Sequence, residues 1–442
     1  MTEVLVAGGT VVTVDDENTI YEDGAVLVAD DEIRDVGPTA ELESKYDADE
    51  TVDASGRVVI PGLINLHVHS GFIRGLAEDL PVWEWLVEHV DPTHRALRRE
   101  DARAAYELCY AEMAKAGITC TLDMYRYMEE AAEVVDDYGL RAVLSPYVAD
   151  RDGFEYFPSV QDNVDLVERH HDTADGRVKV WFGLEHIEYC TEAAYRRVAD
   201  LAAEYGVGIH THGEESPKKA QELTDKYGMR PIEVFEDWGI LSPKTVVAHC
   251  VWLTNREIEV LAETDTSVAH CPTSNEKLAS GVAPVPKLLN HGVPVGLGTD
   301  GIKENNRLDV IQEMKNAALL QKVHRLDARA IPGEQALRMA TMGGARALGL
   351  DDEIGSIEAG KQADLVLLDF QQPHLSPHFG AENVVPNLVH AAMPSDVETV
   401  FVAGDRVVDD GDFRSGDQDA IIENYDEKAK ALVERRDNEE WA

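Results

Sequence analysis

Short apolar runs recur along the chain in two textures. Near the N-terminus, VLVAGGTVVTV and GAVLVADDEIRDVG are apolar stretches broken by Gly and Asp turns, which predicts strands over residues 1 to about 57. ADLVLLDF (363–370) and ETVFVAGDRVVDDG (398–411) have the same character, and VFVAGDRVV echoes VLVAGGTVV. Two terminal β segments around a long middle predict one small β-sandwich built from residues 1–57 and 360–442. Residues 417–442 read as a charged amphipathic helix belonging to that end.

Residues 58–359 alternate strand and helix, the pattern of a parallel sheet. Strand candidates are VVIPGLINLHVH (58–69), GITCTLDM (117–124), LRAVLSPYV (140–148), RVKVWFGLEH (177–186), GVGIHTH (206–212), TVVAHC (245–250), TSVAHCP (266–272) and VPVGLGTD (293–300). AAYRRVADLAAEYG (193–206) and REIEVLAET (256–264) are helical repeats between them. Eight strands in regular alternation predict an α/β fold, a (β/α)8 TIM barrel. A doubly wound open sheet is the alternative, but no Gly-rich phosphate fingerprint follows the first strand.

Charge narrows the partners. Against 40 Lys and Arg stand 84 Asp and Glu, a net charge of −44, which repels phosphate backbones and anionic lipid. A small-molecule partner is expected, with neither nucleic acid nor membrane. An acidic shell of this size suits concentrated salt, which screens self-repulsion, so the chain reads as halophilic. No run of about 18 apolar residues occurs and the start carries no basic leader, so the expected address is cytoplasmic. Cys109, Cys120, Cys190, Cys250 and Cys271 are scattered without a CxxC, and are expected to be buried thiols rather than disulfides or metal ligands.

In a TIM barrel, side chains at the C-terminal strand ends converge on one site. Those ends carry His67, His69, His186, His212, His249, His270 and Asp300. One histidine at a strand end is usually a packed core residue; their repetition over separate strands points to a metal. His67 and His69 share one strand face, because residues i and i+2 point the same way. Three or four protein ligands with one position left for water make a catalytic zinc site, and His212 and Asp300 supply the rest. His210 shares the face of His212 and competes with it. Glu215, three residues past His212, could reach the attacking water as a proton shuttle, with His249 across the same opening.

These segments resemble a known family. PGLINLHVHS (61–70), HTHGEES (210–216), VAHC (247–250), AHCPTSNEKLASG (269–281) and GLGTDG (296–301) are similar to the amidohydrolase superfamily. RGLAEDLPVWEWL (74–86), NNRLDVIQEMKNAALLQK (305–322) and IGSIEAGKQADLVLLD (354–369) resemble its branch of S-adenosylhomocysteine/5-methylthioadenosine deaminases and triazine hydrolases. The resemblance implies one zinc ion (or Fe2+ or another divalent metal) on His67, His69, His212 and Asp300, and favours His212 over His210. It implies Asp300 as both ligand and base, Glu215 and His249 in the catalytic shell, and His186 near the substrate ring. A homo-oligomer is also implied.

The implied reaction replaces an exocyclic amine on a nitrogen heterocycle, a purine or nucleoside by preference. The alternatives are a triazine-type hydrolase expelling another group and a non-catalytic scaffold. Three departures fall on the pocket. His94, in Asp91-Pro92-Thr93-His94, stands where the branch carries a ribose-binding Glu. Pro146 replaces an Arg, and Glu185-His186-Ile187-Glu188-Tyr189 replaces Pro-His-Ala-Pro-Tyr. A two-metal site would need a Lys at the end of strand 4, and Lys179 lies near that strand's start. Trp85, Trp252 and Phe72 are pocket candidates after strand ends. Glu304 could line the pocket or cap the next helix.

Overall fold

The computed structural model describes residues 2–76, 78–80 and 82–439. Ala77 and Pro81 of the 74–86 motif, and 440–442 of the expected last helix, lie outside them. Both chain ends build one nine-stranded sheet. Its hydrogen-bonded order runs Asp412–Phe413, Asp405–Asp409, Val397–Val402, Leu365–Asp369, Arg57–Pro61, Glu3–Val12, Ile20–Ala29 and Glu32–Pro38, and Glu50–Asp53 also pairs with Glu3–Val12. Val6, Val26, Val59, Leu365, Leu367 and Phe401 form a core of their own between its faces, which is the expected composite sandwich.

The middle of the chain is the barrel. Strand 1 is Leu63–Val68, strand 2 Ile118–Tyr125, strand 3 Arg141–Pro146 and strand 5 Ile209–Gly213; strands 6, 7 and 8 are Thr245–His249, Ser267–His270 and Val295–Leu297. Neighbours pair in parallel, and every residue of these strands is buried. Their near-continuous apolar runs follow from that double burial, helices covering the outside and packed side chains the inside. Strand 8 closes on strand 1 through a hydrogen bond from Asp300 N–H to the His67 carbonyl, 2.9 Å. Gly298 permits it: a Cβ there would lie 2.8 Å from His67 Cβ.

Three sequence expectations change. The run 58–69 is not one strand. Arg57–Pro61 pairs with Glu3–Val12 and Leu365–Asp369 in the terminal sheet, and the chain enters the barrel only after Gly62. Both halves are equally apolar, so the pattern gave no sign of the break. Strand 4 also divides: Val178–Val180 pairs with strand 3 and Phe182–Leu184 with strand 5, with Trp181 between them.

The third change concerns the last helix, Gln418–Asp437, which packs not on the sandwich but on the barrel helices Arg99–Lys115 and Asp91–Ala96. Asp417 caps it, accepting from the Asp419 and Ala420 amides. Tyr425 stacks on Phe72 at 4.7 Å, and Arg435 pairs with Asp101. Phe72 is therefore part of this seam and not of a substrate pocket. All five cysteines are buried and free, as expected. No helix among the described residues is long and apolar enough to cross a membrane.

Candidate active site

The C-terminal strand ends meet in a buried cluster. His67, His69, His212, His249 and Asp300 are each at most 3% exposed. His249 and Asp300 have φ of 70° and 60°, the left-handed region that a non-glycine residue enters at a cost. Such strain, held by the surrounding fold, is typical of functional positions.

The back of each imidazole shows what its front offers. His69 Nδ1 lies 2.6 Å from the Met124 carbonyl and His212 Nδ1 2.6 Å from the Glu185 carbonyl. A carbonyl only accepts, so both Nδ1 atoms carry the proton and both Nε2 atoms present lone pairs. His210 Nδ1 meets the Val246 carbonyl at 3.0 Å by the same logic, leaving its Nε2 to accept from His67 Nδ1 at 2.8 Å. His67 Nε2 is thus also a bare lone pair, with no hydrogen-bond partner. His69 and His212 Nε2 stand 3.3 Å apart, and Asp300 Oδ1 lies 3.4 Å from His67 Nε2 and 3.3 Å from His69 Nε2. Burial pushes all three imidazoles toward the neutral form. Against its own burial, Asp300 is held well below the usual carboxylate range by His67, His249 and His69. Neutral nitrogens and a carboxylate converging on one point are the donor set of a divalent cation.

A second layer fixes the rest. Ser274 Oγ donates to Asp300 Oδ2 at 2.7 Å. His249 Nδ1 lies 3.1 Å from Asn275 Oδ1, which aims Nε2 to within 3.8 Å of Asp300 Oδ2. His186 stacks on His212, ring centroids 4.2 Å apart. Its Nδ1 is 2.7 Å from Glu185 Oε2 and its Nε2 3.5 Å from Glu215 Oε2. Burial opposes charge on His186, but Glu185, with Glu215, raises its pKa well above the ordinary value. Glu215 is held low against burial by His249 and His186. A cavity of about 20 Å³, room for roughly one water, is bordered by Trp83, His186, His212 and Glu215. A wider one of about 730 Å³, lined in part by Asp15, Val295, Arg338 and Lys361, opens at the start of strand 8, away from these residues.

The remaining candidates divide. Trp85, His94 and Glu304 are buried beside the cluster, and burial, partly offset by Lys303, raises Glu304 to about 7. Trp252 is 43% exposed and donates its indole N–H to the Ser280 carbonyl, so it leaves the pocket. Trp83 instead faces the His186 ring at 5.8 Å. Lys179 pairs with Asp172 at 2.5 Å on a half-buried face, not with the cluster.

Residues 58–407 match the model of the amidohydrolase family. The chain belongs to that family. Residues 24–48 match a bacterial imidazolonepropionase-like composite domain, in keeping with the terminal sheet. Among amidohydrolases, the 5-methylthioadenosine/S-adenosylhomocysteine deaminase of Pelotomaculum thermopropionicum is 38% identical over 98% of this chain and all of its own length. The 5'-deoxyadenosine deaminase of Methanothermobacter thermautotrophicus is 40% identical over 93% of this chain and 95% of its own. A solved adenosine deaminase from Xanthomonas campestris with bound zinc superposes with a TM-score of 0.93 at 32% identity, covering 98% and 99% of the two chains. The atrazine chlorohydrolase of Arthrobacter aurescens, complexed with zinc, gives 0.87 at 25% identity, covering 97% and 100%. With its metal-binding histidines, this amidohydrolase is a metal-dependent aminohydrolase.

Sequence reading missed several members of the site. His210, set aside as a ligand in favour of His212, stands behind His67. Ser274 and Asn275 lie inside the quoted 269–281 motif, but nothing in linear order tells which ligand each one braces. Lys303, next to Glu304, is buried although a lone lysine in a loop usually faces water, so nothing in the sequence signals it.

Proposed function

We propose that the protein removes the exocyclic amine of an adenine nucleoside at a single zinc ion held by His67, His69, His212 and Asp300. The observation carrying this reading is the convergence of three imidazole lone pairs and one carboxylate, each braced from behind. The direction of Lys179 favours one metal over two. The names of the relatives at 38% and 40% identity favour a nucleoside amine over the groups that triazine hydrolases displace. A complete donor set disfavours the non-catalytic scaffold.

When bound, zinc supplies Lewis acidity, lowering the pKa of water toward about 7. Asp300, held ionised, accepts the second proton of the attacking water, left on the new hydroxyl after the first has gone through Glu215, and passes it to the leaving amine. Glu215, the carboxylate beside His186 and His249, takes one proton from the attacking water and delivers it to the ring nitrogen as the C–O bond forms. His249 orients the water from the other side of Asp300. The C–N bond then breaks, and the amine leaves as ammonia after taking a proton. His186, charged between two carboxylates, faces the substrate ring, and Trp85, His94 and Glu304 line the remainder of the pocket. The acidic surface adapts the same enzyme to concentrated salt.

Two measurements test this reading. Purified protein is expected to carry about one zinc per chain, lost in the His67→Ala/His69→Ala double variant. It is expected to release ammonia from adenosine, 5'-deoxyadenosine or 5'-methylthioadenosine. Two metals per chain, or activity confined to other aminated heterocycles, would overturn it.

A further inference from the structure

Two buried carboxylates with no part in the chemistry above meet one guanidinium. Glu214 follows strand 5 and directly precedes Glu215; its side chain and that of Glu257, in the helix Asn255–Glu263, are shut off from solvent. Arg230 stands at the start of the helix Pro231–Trp238. Its Nη2 donates to Glu214 Oε2 at 2.6 Å and its Nε to Glu257 Oε2 at 3.2 Å. Nη2 also donates to the Trp252 carbonyl at 2.6 Å, in the loop that follows His249. Desolvating charges costs about what their pairing returns, so a buried network of this kind calls for a reason other than stability.

The backbone shows what is being held. Glu214 has φ of 56°, a left-handed conformation that glycine takes freely and glutamate only at a cost. Its carbonyl accepts from the Val251 and Trp252 amides at 3.1 and 3.0 Å, and the Gly213 carbonyl accepts from Cys250 at 3.0 Å. The chain is thus zipped together past the ends of strands 5 and 6. The left-handed turn sends the Glu214 side chain out to Arg230 and leaves Glu215 inside, with Oε2 3.5 Å from His186 Nε2. Released from Arg230, residue 214 would relax toward negative φ and swing Glu215 away from His186. Strain of this sort persists only where the surroundings enforce it, and here the enforcing group is the one that also holds Trp252.

We propose that Arg230 is a positioning residue for the reaction: by pinning Glu214 against the loop after strand 6, it fixes the backbone that aims Glu215 at the attacking water. The assignment rests on the proton-carrying role given to Glu215 above. Arginine suits the task, because its planar fork serves several acceptors in fixed directions, whereas a lysine ammonium is a point charge. Here the fork joins the end of strand 5, the loop after strand 6 and the helix that follows that loop. It hydrogen-bonds to none of the metal-facing nitrogens, so its influence falls on the proton path and not on metal binding.

The test is a mutant cycle between the clamp and Glu215, read as ammonia release from whichever of adenosine, 5'-deoxyadenosine and 5'-methylthioadenosine the wild type turns over fastest. Arg230→Met/Glu214→Leu removes cation and carboxylate together, and Glu257 keeps the Thr254 amide and hydroxyl and the Ile232 amide as donors. Should that variant not fold, Glu214→Gly removes the captured side chain where glycine suits the backbone. kcat is expected to fall by about 10–10²-fold, the scale of a catalytic group displaced by about 1 Å, with KM and zinc content held. In the Glu215→Gln background the same change is expected to cost less than about threefold, since the group it aims is already gone. An equal loss in both backgrounds, a loss confined to KM or zinc content, or an unchanged kcat overturns the clamp and leaves Glu215 its role. Near-wild-type kcat in zinc-loaded Glu215→Gln overturns the proton path and the clamp with it. Wild type that deaminates none of the three nucleosides overturns the nucleoside reading itself, and the clamp falls too.

Discussion

His210 Nε2 accepts a hydrogen bond from His67 Nδ1–H across 2.8 Å, and His210 donates its own Nδ1–H to the Val246 carbonyl. The ligand's tautomer is thus set two groups away, on strand 6. Both His210 and His67 are fully buried, so no water can take over the contact. Replacing His210 by Ala leaves every metal-facing atom in place but removes the acceptor that orients the ring. Metal affinity is expected to fall about 10–100-fold, as for other outer-shell partners. Competition against a chelator measures it, and an affinity equal to wild type would show the relay to be idle.

Glu215 tests the proton path. Glu215→Gln is nearly isosteric and touches no metal-facing atom, so zinc content should hold. Turnover should fall by roughly 10²–10⁴, the usual share of a positioned acid–base group. KM should change far less, since the loss is confined to the transition state. A zinc-loaded variant with near-wild-type kcat would move the shuttle to Asp300 or His249.

The parts of this site that could be read from sequence were those carried by a single strand. His67 and His69 announce themselves through the alternation of one strand, and Glu215 through its distance from His212. What braces them comes from other elements: the Met124 carbonyl of strand 2, the Glu185 carbonyl just past strand 4, and Ser274 and Asn275 in the helix Pro272–Lys277. Register between parallel strands is set by long crossovers and leaves no trace in linear order. The same limit hid the break at Gly62, where two strands of different sheets follow each other in one apolar run. Trp252 follows a strand end and Trp83 does not, yet the helix Val82–Trp85 turns Trp83 toward His186 while the loop holding Trp252 turns it to the Ser280 carbonyl.

Asp91 gives stability a pH dependence. Burial, and after it the charge of Glu185, raises its pKa from 3.8 to about 6, while the Tyr189 hydroxyl donates to it at 3.2 Å. A carboxyl with a raised folded pKa favours the native state most when protonated. Its contribution is full below about 4 and is lost as pH climbs through about 6. Asp91→Asn keeps an oxygen for Tyr189 and never ionises. Its stability relative to wild type should therefore rise between pH 5 and 8 by roughly 1–2 kcal/mol. Denaturant midpoints at the two pH values decide it, and an equal difference at both would refute the assignment.

The net charge of −44 should make the fold salt-dependent. Screening shortens the reach of like-charge repulsion from about 10 Å at 0.1 M to about 3 Å at 1 M. The melting temperature is expected to climb between dilute and molar potassium chloride. A flat or falling trend would mean that the acidic residues are already balanced by local partners.

The seating of Arg57–Pro61 between Glu3–Val12 and Leu365–Asp369 imposes an order on synthesis. When the ribosome has finished the last barrel strand, Val295–Leu297, one edge of this five-residue strand still lacks its neighbour, Leu365–Asp369, which is made later. The barrel can close around its ligands while the terminal sheet waits half-built, its unpaired amides open to any passing β edge. A truncation after the barrel would therefore endanger solubility before it touched the chemistry. Leu365–Asp369 is thus the cover of an edge that would otherwise stay open to a neighbouring molecule's strand.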